Sequence, residues 1–152
     1  MPFEHILTVR FHETDRAGIA FFGRVFQYAH DAFEELLAAA GTDLHAFFDD
    51  VGVGLPLVHA EADFQGPMRL GDRLRIALTC ARLGRGSVTL RATLTGADDG
   101  RPRAVVTLVH AGVRLSDFTP CPVPDAFRDL LERQGLTRDG VPVPDDDGGA
   151  DA

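Results

Sequence analysis

The chain has 152 residues, of which 45% are hydrophobic and 25% charged, and its formal net charge is −8. The length suggests one domain, and because five of the 23 acidic residues lie in the last fourteen positions, the rest is close to neutral, which excludes a nucleic-acid binder. No apolar run approaches the roughly 18 residues that a membrane span needs. With no signal peptide pattern and no paired-cysteine metal motif, we expect a cytoplasmic protein without a metal.

The first part of the chain predicts one strand and one long helix. Apolar and polar residues alternate over His5–His12, as in a strand, and Glu13–Gly18 has the composition of a loop. A helix of about 16 residues follows, with Gly23 as its N-cap and Gly41 as its stop, and a second short helix is predicted over Leu44–Asp50. The apolar stripe of the long helix consists of Val25, Ala29, Ala32, Phe33, Leu36, Leu37 and Ala40.

The second part predicts four more strands, joined at Gly84–Gly86 and Ala97–Gly100 by connections short enough for antiparallel hairpins. A terminal helix is predicted over Pro124–Gln134. We therefore expect one domain over residues 1–138 and an acidic, disordered tail over residues 139–152. The four strands are Val58–Phe64, Arg73–Cys80, Val88–Thr95 and Ala104–Leu115.

One apolar helix among five strands is an α+β arrangement in which the sheet has to wrap around the helix to bury its stripe. The pattern suits a hot-dog fold, a five-stranded antiparallel sheet around one long helix, although periodicity alone leaves another α+β sandwich open. A single such unit exposes a sheet edge and an apolar sheet face. We therefore expect a homo-oligomer, either a dimer or a tetramer.

The joint between the first strand and the long helix carries the residues best suited to chemistry. Asp15 lies a few residues before the helix, among apolar neighbours such as Ile19 and Phe21. A helix N-terminus exposes backbone N–H groups that can polarise a carbonyl, and Asp15 could attack that carbonyl or activate a water. Thioesters suit this pairing because a thiol of pKa about 8.5 leaves without a strong acid. The alternative is that Asp15 only caps a loop.

The segment Asp15–Phe22 resembles the Asp-x-x-Gly-hydrophobic signature of the 4-hydroxybenzoyl-CoA thioesterase family. In motif the chain is similar to the 1,4-dihydroxy-2-naphthoyl-CoA thioesterases of that family, and the resemblance spans about residues 5–118. Further matching positions are Thr14, His30, Ala32, Glu34, Phe64, Pro67, Arg69, Gly71 and Asp72.

The resemblance implies that Asp15 is the catalytic carboxylate and that the backbone amides of Phe22 and Gly23 polarise the thioester carbonyl. Some relatives carry Tyr or His at the position of Phe22, whose own side chain cannot donate a hydrogen bond. Arg82 and Arg85, at one hairpin, are expected to bind CoA phosphates. The expected substrate-binding residues are Gly18, Ile19, Phe21, Tyr28 and His59.

The expected reaction is hydrolysis of an aromatic acyl-CoA, hydroxybenzoyl- or hydroxynaphthoyl-like, to the free acid and CoA. No cofactor is expected, since CoA is part of the substrate. Three alternatives stay open: a thioesterase for aliphatic acyl-CoA or acyl carrier protein, a 3-hydroxyacyl thioester dehydratase using His12 or His59, and a non-catalytic acyl-CoA-binding protein. The absence of a Gly-x-Ser-x-Gly motif argues against a serine hydrolase.

Overall fold

A computed structural model of the chain describes residues 2–39, 41 and 44–144. It shows a five-stranded antiparallel sheet packed against one long helix, with two shorter helices and two small two-stranded sheets. In chain order the elements are β1 (Phe3–Thr8), a 3₁₀ helix (Phe11–Glu13), α1 (Arg24–Ala38), α2 (Leu44–Val51), β2 (Val53–Gly54), β3 (Leu57–Phe64), β4 (Arg73–Leu83), β5 (Ser87–Gly96), β6 (Pro102–Ala111), β7 (Val113–Arg114), α3 (Asp125–Arg133), β8 (Thr137–Arg138) and β9 (Val141–Pro142).

The main sheet has the strand order β1-β4-β5-β6-β3, and every neighbouring pair is antiparallel. Side chains on β4, β5 and β6 alternate between buried and half-buried, because successive residues of a strand point to opposite faces. Leu74, Ile76, Leu90 and Leu94 are among the inward residues with no exposed area. The predicted five-stranded antiparallel sheet is confirmed.

Helix α1 turns its apolar stripe toward this sheet. Gly23 is the N-cap, as predicted. The helix ends at Ala38. Ala40, the last residue of the predicted stripe, lies outside the described residues, and Gly41 adopts φ +70°, a left-handed conformation that glycine reaches without strain. The buried residues of the stripe are Val25, Tyr28, Ala29, Ala32, Phe33, Leu36 and Leu37.

The first strand is shorter than the sequence predicted. It ends at Thr8 rather than His12, because Thr8 pairs with Arg73, the first residue of β4. The chain then turns into the 3₁₀ helix, where Phe11 is exposed to solvent. The apparent alternation beyond Thr8 therefore belongs to the loop that leads to the site.

The last predicted strand, Ala104–Leu115, is divided in two. β6 ends at Ala111, and β7 pairs with β2 instead of continuing in the main sheet. The break falls at Gly112, where a Cβ atom would overlap the carbonyl oxygen of Cys121. Close backbone approach, which the alternation of apolar residues does not reveal, ends the strand.

Residues 139–144, the first part of the tail predicted to be disordered, lie in or directly beside a short strand pair. β8 and β9 form a small antiparallel hairpin, and the amide of Val143 donates to the carbonyl of Leu136. Leu136 and Thr137 are buried, so the hairpin is anchored to the core. Residues 145–152, the rest of the predicted tail, lie outside the described residues.

The two ends of the sheet have different surroundings. At the Asp15 end, β1 finishes and β4 begins; at the α3 end, β4 finishes, β5 begins, and Arg128 of α3 donates to the carbonyls of Gly84 and Arg85. A sheet wrapped on one long helix is the hot-dog fold, as predicted. Within the described part of the chain, no helix is long and apolar enough to cross a membrane.

Candidate active site

A tight turn presents Asp15. The Asp15 amide donates to the Ile19 carbonyl at 2.9 Å, and the Gly18 amide donates to the Asp15 carbonyl at 3.0 Å. Gly18 has φ +77°, a region that side-chain-bearing residues rarely adopt. Thr14 and Ala20 form a bridge across the base of the turn. The loop is thereby closed on itself around the carboxylate.

The same turn is fixed to the segment that precedes β4. The Ala20 amide donates to the Met68 carbonyl at 2.7 Å, and the Leu70 amide donates to the Gly18 carbonyl at 3.2 Å. Ile19 and Arg69 form an isolated bridge between these hydrogen bonds. Two irregular segments that are distant in sequence therefore form one rigid wall at the Asp15 end.

Glu13 supports the base of this loop from inside the protein. Only 6% of Glu13 is exposed, and its Oε1 accepts a hydrogen bond from the Arg10 amide at 2.7 Å, while its carbonyl accepts one from the Phe21 amide at 2.9 Å. The hydroxyl of Tyr28 is buried without a partner in hydrogen-bonding geometry among the described residues. Burial and then the nearby Glu13 carboxylate raise the pKa of Tyr28 far above its usual value, so the phenol stays neutral.

An apolar groove of about 400 Å³ opens beside Asp15. Phe21 and Phe22, which are 50% and 63% exposed, form one side with their rings 4.6 Å apart. Phe64, at the end of β3, is 51% exposed and lines the groove as well. The remaining lining residues are Ile19, Ala20, Gly66, Pro67 and Met68. So many exposed rings around one carboxylate are typical of a ligand site.

Two backbone amides at the start of α1 are available to a ligand. The amides of Arg24, Val25 and Phe26 donate to the carbonyls three residues before them, and no side chain caps the helix. The amides of Phe22 and Gly23 have no acceptor among the described residues. They lie where the helix dipole is positive and where an oxyanion would be stabilised.

The Asp15 carboxylate keeps one oxygen free. Its Oδ1 accepts a hydrogen bond from the Ala17 amide at 2.8 Å, which orients the side chain, and no other hydrogen bond or ion pair to the carboxylate occurs among the described residues. Asp15 is exposed in the single chain and lines the groove with Ile19, Phe21 and Phe22. The carboxylate can therefore reach a ligand, or a water molecule, in the groove.

Four other predicted site residues do not line the groove of this chain: Tyr28, His59, Arg82 and Arg85. Tyr28 is completely buried in α1 and lies outside the groove lining, so the placement does not support substrate contact. His59 is exposed on β3, with Nε2 3.5 Å from Glu61, and does not line the groove of this chain either. Arg82 and Arg85 lie at the α3 end, roughly 30 Å from Arg73 along β4 at about 3.3 Å per residue. A role in CoA binding at Asp15 would require a second subunit and stays a prediction.

Several residues of the site were not assigned to it from the sequence. Phe64, Pro67 and Met68 line the groove, whereas the sequence indicates Phe64 and Pro67 only as matches to a family and gives no indication of Met68. These residues are difficult to identify from the sequence because they reach the site through the bridge between Ile19 and Arg69. That bridge is a contact between two loops, and no sequence periodicity predicts it. Among the described residues, no three His, Cys, Asp or Glu side chains are grouped so that they could hold a metal.

A carboxylate and two helix amides that have no acceptor among the described residues lie around an apolar groove on a hot-dog fold, the arrangement expected in the class of proteins that bind and polarise an ester-like carbonyl. Comparison with known families is consistent with this class. The model of the Thioesterase-like superfamily matches residues 9–131, and the chain belongs to this superfamily.

Individual relatives are similar over most of the chain. The 1,4-dihydroxy-2-naphthoyl-CoA hydrolase of Synechococcus elongatus is 36% identical over 125 residues, which cover 82% of this chain and 90% of the relative. The protein of the same name from Nostoc punctiforme is 33% identical over 141 residues, which cover 93% of this chain and 94% of the relative. The crystal structure of a 1,4-dihydroxy-2-naphthoyl-CoA thioesterase from Synechocystis superimposes with a TM-score of 0.79 at 26% identity, covering 86% of this chain and 96% of that one.

Proposed function

We propose that the chain hydrolyses an aromatic acyl-CoA, of the hydroxybenzoyl or hydroxynaphthoyl kind, to the free acid and CoA. The observation that carries the proposal is a carboxylate, Asp15, in an apolar groove beside two backbone amides that have no acceptor among the described residues. The exposed rings of Phe21, Phe22 and Phe64 give this groove flat apolar walls that suit an aromatic acyl group. The relatives that are 36% and 33% identical are named for an aromatic acyl-CoA substrate.

In the proposed reaction the amides of Phe22 and Gly23 donate to the thioester carbonyl oxygen. Asp15 then removes a proton from water as the water oxygen bonds to the carbonyl carbon, or its own oxygen attacks to form an anhydride that water hydrolyses. Collapse of the oxyanion breaks the C–S bond and releases the CoA thiolate, which takes up a proton from solvent. No bound cofactor is needed. Single-turnover hydrolysis in ¹⁸O-water separates the two routes, since only the anhydride route places label in Asp15.

The test is Asp15→Asn, assayed with benzoyl, hydroxybenzoyl, hydroxynaphthoyl and C4–C16 acyl-CoA esters. We expect kcat to fall by roughly 10³-fold or more, because the amide is neither a base nor a nucleophile. Asp129→Asn, an exposed position on α3, is the matched control and should leave kcat unchanged. Equal turnover by Asp15→Asn and the parent would overturn the mechanism, and fast C12 turnover with slow aromatic turnover would favour an aliphatic substrate.

We propose in addition that two copies of the chain associate through β3. This strand pairs only with β6, so its other edge has no partner strand among the described residues, and it carries the exposed apolar side chains Leu57, Val58 and Phe64. Exposed apolar edges are typical of interfaces. Light scattering should give a dimer or a multiple of it, and Val58→Glu should shift the mass toward the monomer. A monomeric parent at micromolar concentration contradicts the proposal.

A cytoplasmic location is proposed on the chemistry of the cysteines and of the substrate. Cys80 is buried, and burial raises the pKa of its thiol to about 11, while Cys121 is half-buried and unpaired. Two free thiols suit a reducing compartment, where acyl-CoA esters are also found. Fractionation of cells that express the chain, followed by a thiol count on the recovered protein, tests this location.

A further inference from the structure

A second, polar cleft continues from the groove at the Asp15 end. Its volume is about 690 Å³, and Gly66 and Pro67 line both the groove and the cleft. The amides of Gln65 and Gly66 both donate to the carbonyl of Arg103, at 2.8 and 3.1 Å, so the shared wall is fixed to the beginning of β6. A ligand held at Asp15 can extend past Gly66 into the cleft.

Three arginines, Arg69, Arg101 and Arg103, line the cleft together with two aspartates. Both aspartates are engaged in their own turns. Asp72 accepts a hydrogen bond from the Arg69 amide at 2.9 Å, and Asp99 accepts the Arg101 amide at 2.9 Å and pairs with the Arg103 guanidinium at 2.8 Å. The guanidinium groups of Arg69 and Arg101 form no hydrogen bond or ion pair among the described residues.

We propose that this cleft binds the phosphate groups of the CoA moiety, with Arg69 and Arg101 as the principal contacts; the inference rests on the proposed function. A guanidinium presents paired N–H donors that fit phosphate oxygens, and among the described residues neither of these two guanidinium groups is hydrogen-bonded to a carboxylate, although Asp99 lies near enough to Arg101 for an electrostatic interaction. Phosphates in the cleft would be tethered to a thioester in the groove through the pantetheine arm. Arg82 and Arg85 of the same chain lie at the other end of the sheet.

The experiment compares one acyl group on two carriers, CoA and N-acetylcysteamine, of which only CoA has phosphates. In the double variant that carries Arg69→Gln and Arg101→Gln, we expect KM for the CoA ester to rise about 10-fold for each arginine replaced, with little change in kcat. The kinetics of the N-acetylcysteamine ester should be unchanged. The paired variant Arg82→Gln with Arg85→Gln tests the rival phosphate site at the other end of the sheet, and it should raise KM for the CoA ester much less. Arg133→Gln, at an exposed position on α3, is the matched control and should leave the kinetics of both esters unchanged.

Two kinetic results would overturn the assignment: equal losses with both carriers, or a loss specific to CoA in the Arg82 and Arg85 variant alone. Calorimetry with free CoA measures the affinity for CoA independently of catalysis. Should the parent hydrolyse no thioester, the proposed function fails, and weaker CoA binding by the Arg69 and Arg101 variant still supports the phosphate site. Equal CoA affinity in parent and variant refutes it.

Discussion

Both ends of the five-stranded sheet carry phenylalanine rings, but the rings differ in how far they are buried. At the α3 end, Phe127 has no exposed area, and the Arg128 guanidinium donates to the carbonyls of Gly84 and Arg85 at 2.5 and 3.0 Å. At the Asp15 end, Phe21 and Phe22 are at least half exposed. At the α3 end this ring is therefore buried and these two carbonyls have a partner, whereas at the Asp15 end the rings of Phe21 and Phe22 are accessible and the amides of Phe22 and Gly23 have no acceptor among the described residues.

This difference separates stability from function. Exposed rings and unpaired amides contribute little to the free energy of unfolding, and in a structural element they would be a defect. They persist at the Asp15 end because the turn around Asp15 is anchored by Met68 and by the buried Glu13. We infer that the α3 end carries stability and the Asp15 end carries binding and catalysis, and each prediction below can break that division.

The largest expected effect is on stability. Phe127→Ala should lower the free energy of unfolding by about 3–5 kcal/mol, because it leaves a cavity in a fully buried site. The folded fraction should keep its kcat. Phe22→Ala, at an exposed ring, should change stability by roughly 0.5 kcal/mol or less but raise KM. Urea unfolding at fixed protein concentration and steady-state kinetics measure both. A Phe127→Ala protein of normal stability and impaired catalysis would reverse the assignment of the two ends.

The second prediction concerns the amide of Phe22 alone. The Arg24 amide donates to the Phe21 carbonyl at 2.8 Å, so Phe22 is the second residue of a turn, a position that proline favours. Phe22→Pro should lose roughly 10²–10³-fold in kcat relative to Phe22→Ala, because proline lacks the N–H that would stabilise the oxyanion. Circular dichroism checks that α1 persists. Equal kcat in the two variants means that this amide plays no part.

Much of the fold was predictable because burial imposes a period. The alternation along β4 and β5 and the stripe from Val25 to Leu37 follow from one face meeting the core. Tyr28 was assigned to substrate contact, yet it lies three residues after Val25 and so on the buried stripe. The same period would have placed it in the core.

The candidate site was predictable only in its local part. Asp15 and the amides at the helix start are near one another in sequence, so composition and capping rules could identify them. The groove depends on Phe64 and Met68, which reach Asp15 through a contact between two irregular loops. Glu13 is a charged residue that the fold buries by satisfying its oxygen with a backbone amide, and sequence patterns normally assign such a residue to the surface.

The third prediction tests whether the α3 end also sets the pH dependence of stability. His110 is buried at that end, its Nδ1 bonds to the Leu55 carbonyl at 2.9 Å, and its Nε2 has no partner among the described residues. Burial lowers the pKa of His110, opposed by the hydrogen bond to Leu55. As the pH falls, His110 is therefore protonated at a higher pH in the unfolded chain than in the folded one. The contribution of His110 to the free energy of unfolding should be fully present above about pH 6.5 and should fall below it, by at most about 1.4 kcal/mol per pH unit.

His110→Phe is the comparison for that prediction, because a phenyl ring can keep the stacking on Phe33, whose ring lies 4.5 Å from the imidazole. Urea unfolding between pH 7.5 and 5 should show a shallower loss of stability in the variant than in the parent. The kcat profile should be the same in both, since His110 lies at the end of the sheet opposite Asp15. Parallel stability curves would show that His110 does not titrate in this range.

The smallest expected effect is at Gly18, and it tests whether the Asp15 turn matters for its shape or only for its rigidity. Gly18 and Gly71 both lie at the Asp15 end with φ of +77° and +84°, and a Cβ atom would meet nothing within 4 Å at either. Alanine should therefore cost about 1 kcal/mol of stability at each position through backbone strain alone. Only Gly18 donates to the Asp15 carbonyl, so only Gly18→Ala should reduce kcat, several-fold, and Gly18→Asn should restore part of it because asparagine tolerates a positive φ. If Gly71→Ala reduces kcat as much, loosening of the whole end, rather than the orientation of Asp15, limits the reaction.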